Sequence, residues 1–416
     1  MTMPEPPQAA PGALAGVRVL DLSRILAGPW CTQILGDLGA DVIKIEKPGS
    51  GDDTRTWGPP FMPAADGGKS TTATYFASCN RNKRSVTVDI AKPEGQALIR
   101  ELVLRSDVVV ENFKTGGLAA HGLDSASLRA LNPRLVYCSI TGFGHTGPYA
   151  ERAGYDLLVQ ASSGLMSVTG RADDEPGGGP LRVGVAVIDI FTGIYASTAI
   201  LAALRARDRT GEGQDIDMSL LDTGMAILAN QGAAFLNAGV VPPRQGNTHP
   251  SIVPYQDFPT KDGAMLLAIG NDGQFKRFCE AAGGLPWWQD ERFATNTERV
   301  RHRQVLVPMI NEVTRRRTTD DWVALLESRA VPCGPVNDIG RAFKDPQVQA
   351  RGAAISLPQA EFGEAHMVAS PVKLQGTPPT YRRPPPSLGE HTAEVLAEVL
   401  ELPAERIEAL RAGGVV

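Results

Sequence analysis

The sequence predicts an α/β protein with a largely parallel sheet, and three observations carry that expectation. Short runs rich in β-branched apolar residues recur at Val17–Leu22, Asp41–Glu46, Val86–Ile90, Asp107–Glu111, Arg134–Ile140 and Ile216–Ser219. Segments with helical periodicity separate several of them, the order of βαβ units. The chain has 416 residues, enough for two domains.

The first strand passes into SRILAGPW (Ser23–Trp30) and the amphipathic TQILGDLG before the second strand, Asp41–Glu46. Ligands on parallel sheets collect at the carboxyl ends of the strands, which places them near Ser23–Pro29 and Glu46–Asp53. Gly49–Thr72 is rich in Gly, Pro and Asp and reads as loop, with Trp57 and Phe61 pointing to a packed, functional one. Pro93 suits a helix first turn and opens PEGQALIRELVLRS, apolar at 97, 98, 99, 102, 103 and 104. The fourth strand ends in Asn112-Phe113-Lys114, and LDSASLRALNP gives the next helix. A long helix is expected over roughly Asp189 to Arg207, with Ile190, Ile194, Leu201 and Leu204 as its apolar stripe and Asp189 as its N-cap. Composition turns polar between Asn237 and Tyr255, the passage into a smaller domain with a strand at Met265–Ile269 and helices near 272–282, 300–316 and 319–328. The chain returns through a strand near His366–Val372, a Pro-rich tether and two helices.

Composition narrows the function. Apolar content of 42% with 21% charged residues is that of a globular protein. A net charge of −5 without a like-charge block gives no footprint for nucleic acid or a membrane surface. No apolar run approaches the ~18 residues of a membrane span. The Pro/Ala-rich start has no targeting pattern, so a disordered tail over residues 1–13 and a cytoplasmic location are expected. Five unpaired-looking cysteines suit a reducing compartment, and six histidines without ligand spacing make a metal site unexpected.

Several motifs carry alternatives. Gly142-Phe-Gly-His-Thr-Gly147 matches G-x-G-x-x-G, but it follows the fifth strand and has no acidic strand end about 20 residues on. It reads either as a dinucleotide turn or, in preference, as a glycine-rich turn packed near a ligand. Lys47, Arg55, Arg81, Lys83, Arg84, Lys92 and Lys114 lie at strand or loop ends as a candidate phosphate patch. No G-x-S-x-G is present. In GLMSVTGRADDEPGGGP (Gly164–Pro180) acidic residues crowd beside three glycines. That stretch is either a solvated turn or a carboxylate nucleophile over a glycine loop.

DLSRILAGPW, LGDLGADVIKIEKPGSGDDTRTWGPPF, NRNKRSVTVDI, DVVVENFKTG, YCSITGFGHTGPYAERAGYD, GNTHPSIVPYQDFPTKDG and SLGEHT, in that order, resemble the class III CoA-transferase family. GDDTRTWGPPF, RAGYD and SIVPYQ are most similar to its succinyl-CoA:glutarate branch. The resemblance implies a large α/β CoA-binding domain from both chain ends (14–225 and 341–416), a small α+β domain (226–340) and two chains interlocked as a homodimer. It also implies that an aspartate attacks an acyl-CoA, passes through a mixed anhydride and an aspartyl-CoA thioester, and hands CoA to a second carboxylic acid without metal, ATP or a bound cofactor. Counting from Thr169-Gly170 puts that aspartate at Asp173, then Asp174, with Asp156 third. CoA contacts fall by the same resemblance on Arg24, Ile25 and Ala27, on Lys47, on Val88 to Lys92, and on Asn112 and Phe113. Leu26 and Ala120 depart from the family pattern, which shifts the adenine end toward Lys114 or His121. Arg152, Arg171 and His249 are candidates for the acyl group or a second carboxylate. The alternatives are an acyl-CoA epimerase of the same family, weakened by Tyr155 where the racemases carry histidine, and more remotely a nicotinamide dehydrogenase or a non-catalytic CoA-binding module.

Overall fold

The computed structural model describes residues 12–416, so the expected tail over 1–13 lies almost wholly outside the described residues. Eight strands precede residue 220: β1 (Arg18–Asp21), β2 (Asp41–Glu46), β3 (Phe61–Pro63), β4 (Lys69–Ala73), β5 (Lys83–Thr87), β6 (Val108–Glu111), β7 (Val136–Thr141) and β8 (Asp215–Ser219). Six of them form one parallel sheet in the order β5-β2-β1-β6-β7-β8, while β3 and β4 form a separate antiparallel pair. The chain enters at the middle, runs out to β5, then crosses back to β6. The strand order therefore reverses between β1 and β6, where the loops leaving both strands part and open a crevice.

The helices of this part are α1 (Ala27–Asp37), α2 (Thr74–Ala77), α3 (Pro93–Leu104), α4 (Ser125–Leu131), α5 (Asp156–Ser162), α6 (Leu165–Val168), α7 (Val187–Thr210) and α8 (Leu220–Ala226). Strands such as Val108-Val-Val110 are apolar throughout because both faces of the sheet are covered. On one side Leu20, Ile43, Val86 and Val109 meet α3 and the C-terminal helices through Leu98, Ile99, Leu102, Val395 and Leu410. On the other, Val19, Val42, Val108 and Val110 meet α1 and α7 through Leu35, Ile188, Ala196 and Ile200.

Three expectations are corrected. The third sheet strand starts at Lys83, three residues earlier than expected, because Lys83 and Arg84 are buried against carboxylates and so carry charge into a strand. The stretch 49–72 is not all loop: it holds a 3₁₀ turn at Asp53–Thr56 and the β3–β4 hairpin. In α7 the buried face is made of Ile188, Thr192, Gly193, Ala196, Ser197, Ile200, Ala203 and Leu204, so of the expected stripe Leu204 is buried while Ile194 and Leu201 stay 41% and 36% exposed. Small residues win that face because α1 lies so close that a Cβ on Gly193 would sit 2.7 Å from the Ala27 carbonyl oxygen. By length and composition α7 also reaches the measure of a membrane span, which the sequence reading did not anticipate.

Two compact units divide the chain. The first comprises residues up to Leu165, Val183–Ala233 and Gln349–Val416, and includes the hairpin β12 (Ala354–Gln359) and β13 (Gly363–Val368). The second comprises Met166–Arg182 and Ala234–Val348, so the acidic glycine loop groups with it rather than with the larger unit. Its sheet, in the order β11-β10-β9, is antiparallel: β9 (Tyr255–Pro259), β10 (Ala264–Ala268) and β11 (Cys333–Pro335). Helices at Asp272–Ala281, Arg303–Thr314 and Thr319–Glu327 enclose Phe258, Phe275, Phe278 and Trp322. The Trp322 indole N–H, which burial would otherwise orphan, donates to the Thr314 carbonyl at 2.7 Å.

Candidate active site

The loop leaving β1 is fixed residue by residue. Asp21, buried at the strand end, accepts from the Ser23 backbone N–H and from the Ser23 and Thr32 hydroxyls. Lys44 donates to the Ser23 carbonyl and to Asp52, each at 2.9 Å, with no exposure of either side chain. Asp52 in turn accepts the Ile25 backbone N–H at 3.3 Å. Asn112, at the end of β6, accepts from Arg24 N–H and donates back to its carbonyl, at 2.8 and 2.7 Å. Ile25 has φ +73°, a conformation a β-branched residue adopts only where its surroundings impose it. Burial alone would raise the Asp52 carboxyl, but Lys44 and the Thr54 N–H outweigh it and hold Asp52 at about 2.

Two cavities flank this loop in the first unit. One, of about 460 Å³, is lined by Arg24, Lys47, Val88, Ile90 and Phe113 among others. The other, of about 430 Å³, is lined by Arg24, Ile25, Ala27, Asn112, Phe113, Lys114, Arg152, Tyr155 and Asp189. Arg24 and Phe113 border both, the guanidinium 5.6 Å from the ring centroid. The result is a long crevice at the sheet's switch point, partly apolar and rimmed by cations, suited to an extended anionic ligand.

The second cavity reaches the carboxyl of Asp189, and Asp156 stands close enough for its charge to act on it. Asp156 accepts the backbone N–H groups of Ile188 and Asp189 at 2.8 and 3.3 Å and a hydrogen bond from Gln160 at 2.6 Å. Asp156, not Asp189, therefore closes the start of α7. Asp189 makes no side-chain hydrogen bond among the described residues. Burial and then the negative charge of Asp156 push its carboxyl up to about 7. A carboxyl without a partner, half-desolvated and open to a ligand cavity, is the arrangement expected of a reacting group.

The residues singled out from the sequence separate into groups. Arg24, Ile25, Ala27, Asn112, Phe113, Lys114 and Arg152 meet at the second cavity, Lys47 and Val88 at the first. Arg152 stacks on Tyr149, 3.8 Å from the ring centroid. Lys92 donates to the carbonyls of Gly413 and Gly414, and His121 pairs with Gln96; neither lines these cavities. Asp173, Asp174 and Arg171 are exposed on the loop of the second unit, where Asp173 is ion-paired with Arg244 and Arg171 donates to the Pro176 carbonyl. His249, also there, accepts from the Ser251 N–H through Nδ1. The supposed phosphate patch is mostly internal: Arg55 pairs with Glu46, Arg81 with Asp37, Lys83 with Asp21 and Arg84 with Asp41. Of that set only Lys47 and Lys114 face the cavities.

Gly142–Gly147 has a packing reason for its glycines. A Cβ on Gly142 would lie 2.5 Å from the Gly154 Cα, so two backbone segments touch there. Asp189, expected as the N-cap of the long helix, instead stands inside its first turn.

A parallel α/β sheet with an anion-suited crevice at its switch point and an unpartnered carboxyl in that crevice defines a ligand-transforming enzyme. The chain belongs to CoA-transferase family III, whose family model matches residues 14–392, and it is a CoA-transferase of that family. It is 53% identical over 386 residues to a succinate–glutarate CoA-transferase of Agrobacterium fabrum, covering 93% of this chain and 95% of the relative. It is 42% identical over 403 residues to human succinyl-CoA:glutarate CoA-transferase, covering 97% and 90%. The fold superposes on the crystal structure of a CAIB/BAIF family protein from Brucella suis with a TM-score of 0.84 at 48% identity, over 94% of this chain and all of that one.

Proposed function

We propose that the protein moves CoA from succinyl-CoA to a second short acid of the dicarboxylate class, such as glutarate, with Asp189 as the acyl carrier. The observation that carries the choice of residue is the Asp189 carboxyl, unpartnered in the cavity that Arg24, Asn112 and Lys114 also line. Asp173 and Asp174, counted as nucleophiles from the sequence, lie exposed and outside these cavities, and Asp156 is occupied in capping α7. The choice of acids rests on the two relatives named for succinate and glutarate.

The Asp189 carboxylate attacks the thioester carbonyl carbon, the C–S bond breaks, and CoA leaves as thiolate with the bonding pair. The thiolate then attacks the Asp189 carbonyl of the mixed anhydride, releasing succinate and leaving an aspartyl-CoA thioester. The incoming carboxylate attacks that carbonyl and expels CoA thiolate, forming a second mixed anhydride; the thiolate then attacks its acyl carbonyl, and the bond to the Asp189 oxygen breaks to give the new acyl-CoA and free Asp189. One thioester replaces another, so the sequence balances without ATP or metal. Partial desolvation makes the carboxylate a better nucleophile than in water. In this reading Lys47 and Lys114, which line the two cavities, take the phosphates, and the 24–27 loop with Asn112 and Phe113 takes the body of CoA.

The working unit is proposed to be an interlocked homodimer, supported by the apolar Phe191, Ile194 and Tyr195 left exposed along α7. The test is exchange of label from glutarate into glutaryl-CoA with succinyl-CoA as donor and a chelator present. Ping-pong transfer supports the reading. Deuterium wash-in at Cα without an acceptor acid, in place of transfer, would make the protein an epimerase instead.

A further inference from the structure

The cavity that reaches Asp189 is also lined by three cations, Arg24, Lys114 and Arg152, all in the first compact unit. Arg24 is already engaged, its guanidinium 3.0 Å from the Asp53 carboxylate. Lys114 and Arg152 have no ion-pair partner among the described residues, although the acids Glu151 and Asp189 line the same cavity. Of the two, Arg152 is the one held in place. Its guanidinium lies 3.8 Å from the centroid of the Tyr149 ring, and its backbone N–H donates to the Tyr149 carbonyl at 2.9 Å. Tyr149 in turn meets Phe143 edge to face, with ring centroids 5.8 Å apart. Phe143 belongs to the glycine turn Gly142–Gly147, and that turn is pinned: the Gly144 N–H donates to the Thr141 hydroxyl at 2.9 Å and the His145 N–H to Asp217 at 3.1 Å. The Thr115 hydroxyl, donating to the Ala150 carbonyl at 2.8 Å, ties the segment to the loop after β6. A guanidinium stacked on a ring keeps its in-plane N–H donors free for a carboxylate, and bidentate pairing is the geometry it favours. Arg152 is thus a positioned cation, without a carboxylate of its own, in the cavity of the proposed reacting group.

We propose that Arg152 binds the non-reacting carboxylate of the dicarboxylic acid, while the other end of the same acid is presented to Asp189 within that one cavity. This rests on the dicarboxylate reading above and assigns the group that tells such acids from monocarboxylates. A monocarboxylate, with its one carboxylate committed to reaction, leaves Arg152 unpaired. The glycine turn also gains a role: it carries Phe143, Phe143 backs Tyr149, and Tyr149 sets the plane of the guanidinium.

The experiment compares glutarate with its half-amide, a monocarboxylate of the same length, as acceptors from succinyl-CoA in wild type, R152Q, R152K and Y149L, with thermal unfolding to confirm that each is folded. Wild type is expected to prefer glutarate. R152Q is expected to lower kcat/KM for glutarate by about 10- to 100-fold, mainly through KM, the range for a hydrogen bond to a charged group, and to leave the half-amide within about twofold. R152K should recover part of the loss, and Y149L, which keeps the charge without the stack, should fall between wild type and R152Q. A wild-type preference that survives in R152Q, whether both acids fall together or neither does, would overturn the assignment and leave the dicarboxylate reading standing. No preference in wild type would overturn the dicarboxylate reading itself. Where the half-amide is not turned over at all, the glutarate loss in R152Q with partial rescue in R152K decides. Calorimetric binding of glutarate that is tighter to wild type than to R152Q, without any transfer, would sink the activity and leave this site standing.

Discussion

Lys44 and Asp52 meet at 2.9 Å with neither side chain reaching water, and the pair holds both ends of the turn that frames the ligand crevice. Such a pair costs desolvation at both ends, so removing one partner leaves a buried charge with nothing to answer it. Lys44→Met is expected to destabilise the protein by about 3–5 kcal/mol and to raise KM for acyl-CoA as the Ile25 turn relaxes. Denaturant unfolding with steady-state kinetics checks both.

The same pair sets an acid response. Asp52 is held at about 2, below its unfolded value, so its contribution is present above that unfolded value and is lost as pH falls through about 2. The acid side of the stability profile should flatten in Asp52→Asn, measured by thermal unfolding between pH 5 and 2.

Asp189 works the other way. With its carboxyl raised to about 7 in the folded state, stability falls as pH rises from the unfolded value to about 7, and the loss is complete above it. Asp189→Asn is therefore expected to match wild type near pH 4 and to be more stable by about 1–3 kcal/mol at pH 8. The proposed role of Asp189 requires it to be ionised, so on that role kcat/KM for the donor should climb through pH 7 and then level, opposite to stability. Asp189→Ala should lower kcat by at least about 10³-fold, the scale for losing a covalent nucleophile.

Asp156 caps α7 and thereby sets where Asp189 stands. Asp156→Ala should cost about 1–2 kcal/mol, the usual loss of a cap, and reduce kcat, whereas Asp156→Asn keeps an acceptor and should recover most of the stability. Equal losses for the two variants would show that capping is not what Asp156 contributes.

Gly142→Ala forces a methyl to within 2.5 Å of the Gly154 Cα, a backbone that has no rotamer to offer. A loss of at least about 2 kcal/mol is expected. A variant as stable as wild type would mean that the two segments part easily.

The parallel sheet was legible because buried strands write themselves as Val/Ile runs, and β2 matched to the residue. Where charge enters a strand, as at Lys83 and Arg84, apolar pattern misplaces the boundary. Basic residues near strand ends read as a phosphate patch, yet Arg81, Lys83 and Arg84 answer carboxylates 44, 62 and 43 residues away, and no local spacing encodes those pairings. Only part of the expected stripe on α7 is buried: Leu204 is, but close helix contact at Gly193 demands small residues there, and Ile194 and Leu201 turn outward. The loop residues Arg24 to Ala27, Asn112 and Phe113, legible only through resemblance, do meet at one cavity, while Asp189 reads as a cap because a cap and a first-turn acid differ by only a few residues in sequence.

The central claim is that Asp189 briefly carries the acyl group and then CoA. Incubating the enzyme with succinyl-CoA, trapping with hydroxylamine and mapping the modified peptide by mass spectrometry tests it most directly. A hydroxamate on Asp189, formed only with donor present and retained in Asp173→Ala and Asp174→Ala, is the expected result. A hydroxamate on Asp173 or Asp174, or none on any aspartate while transfer proceeds, would contradict it.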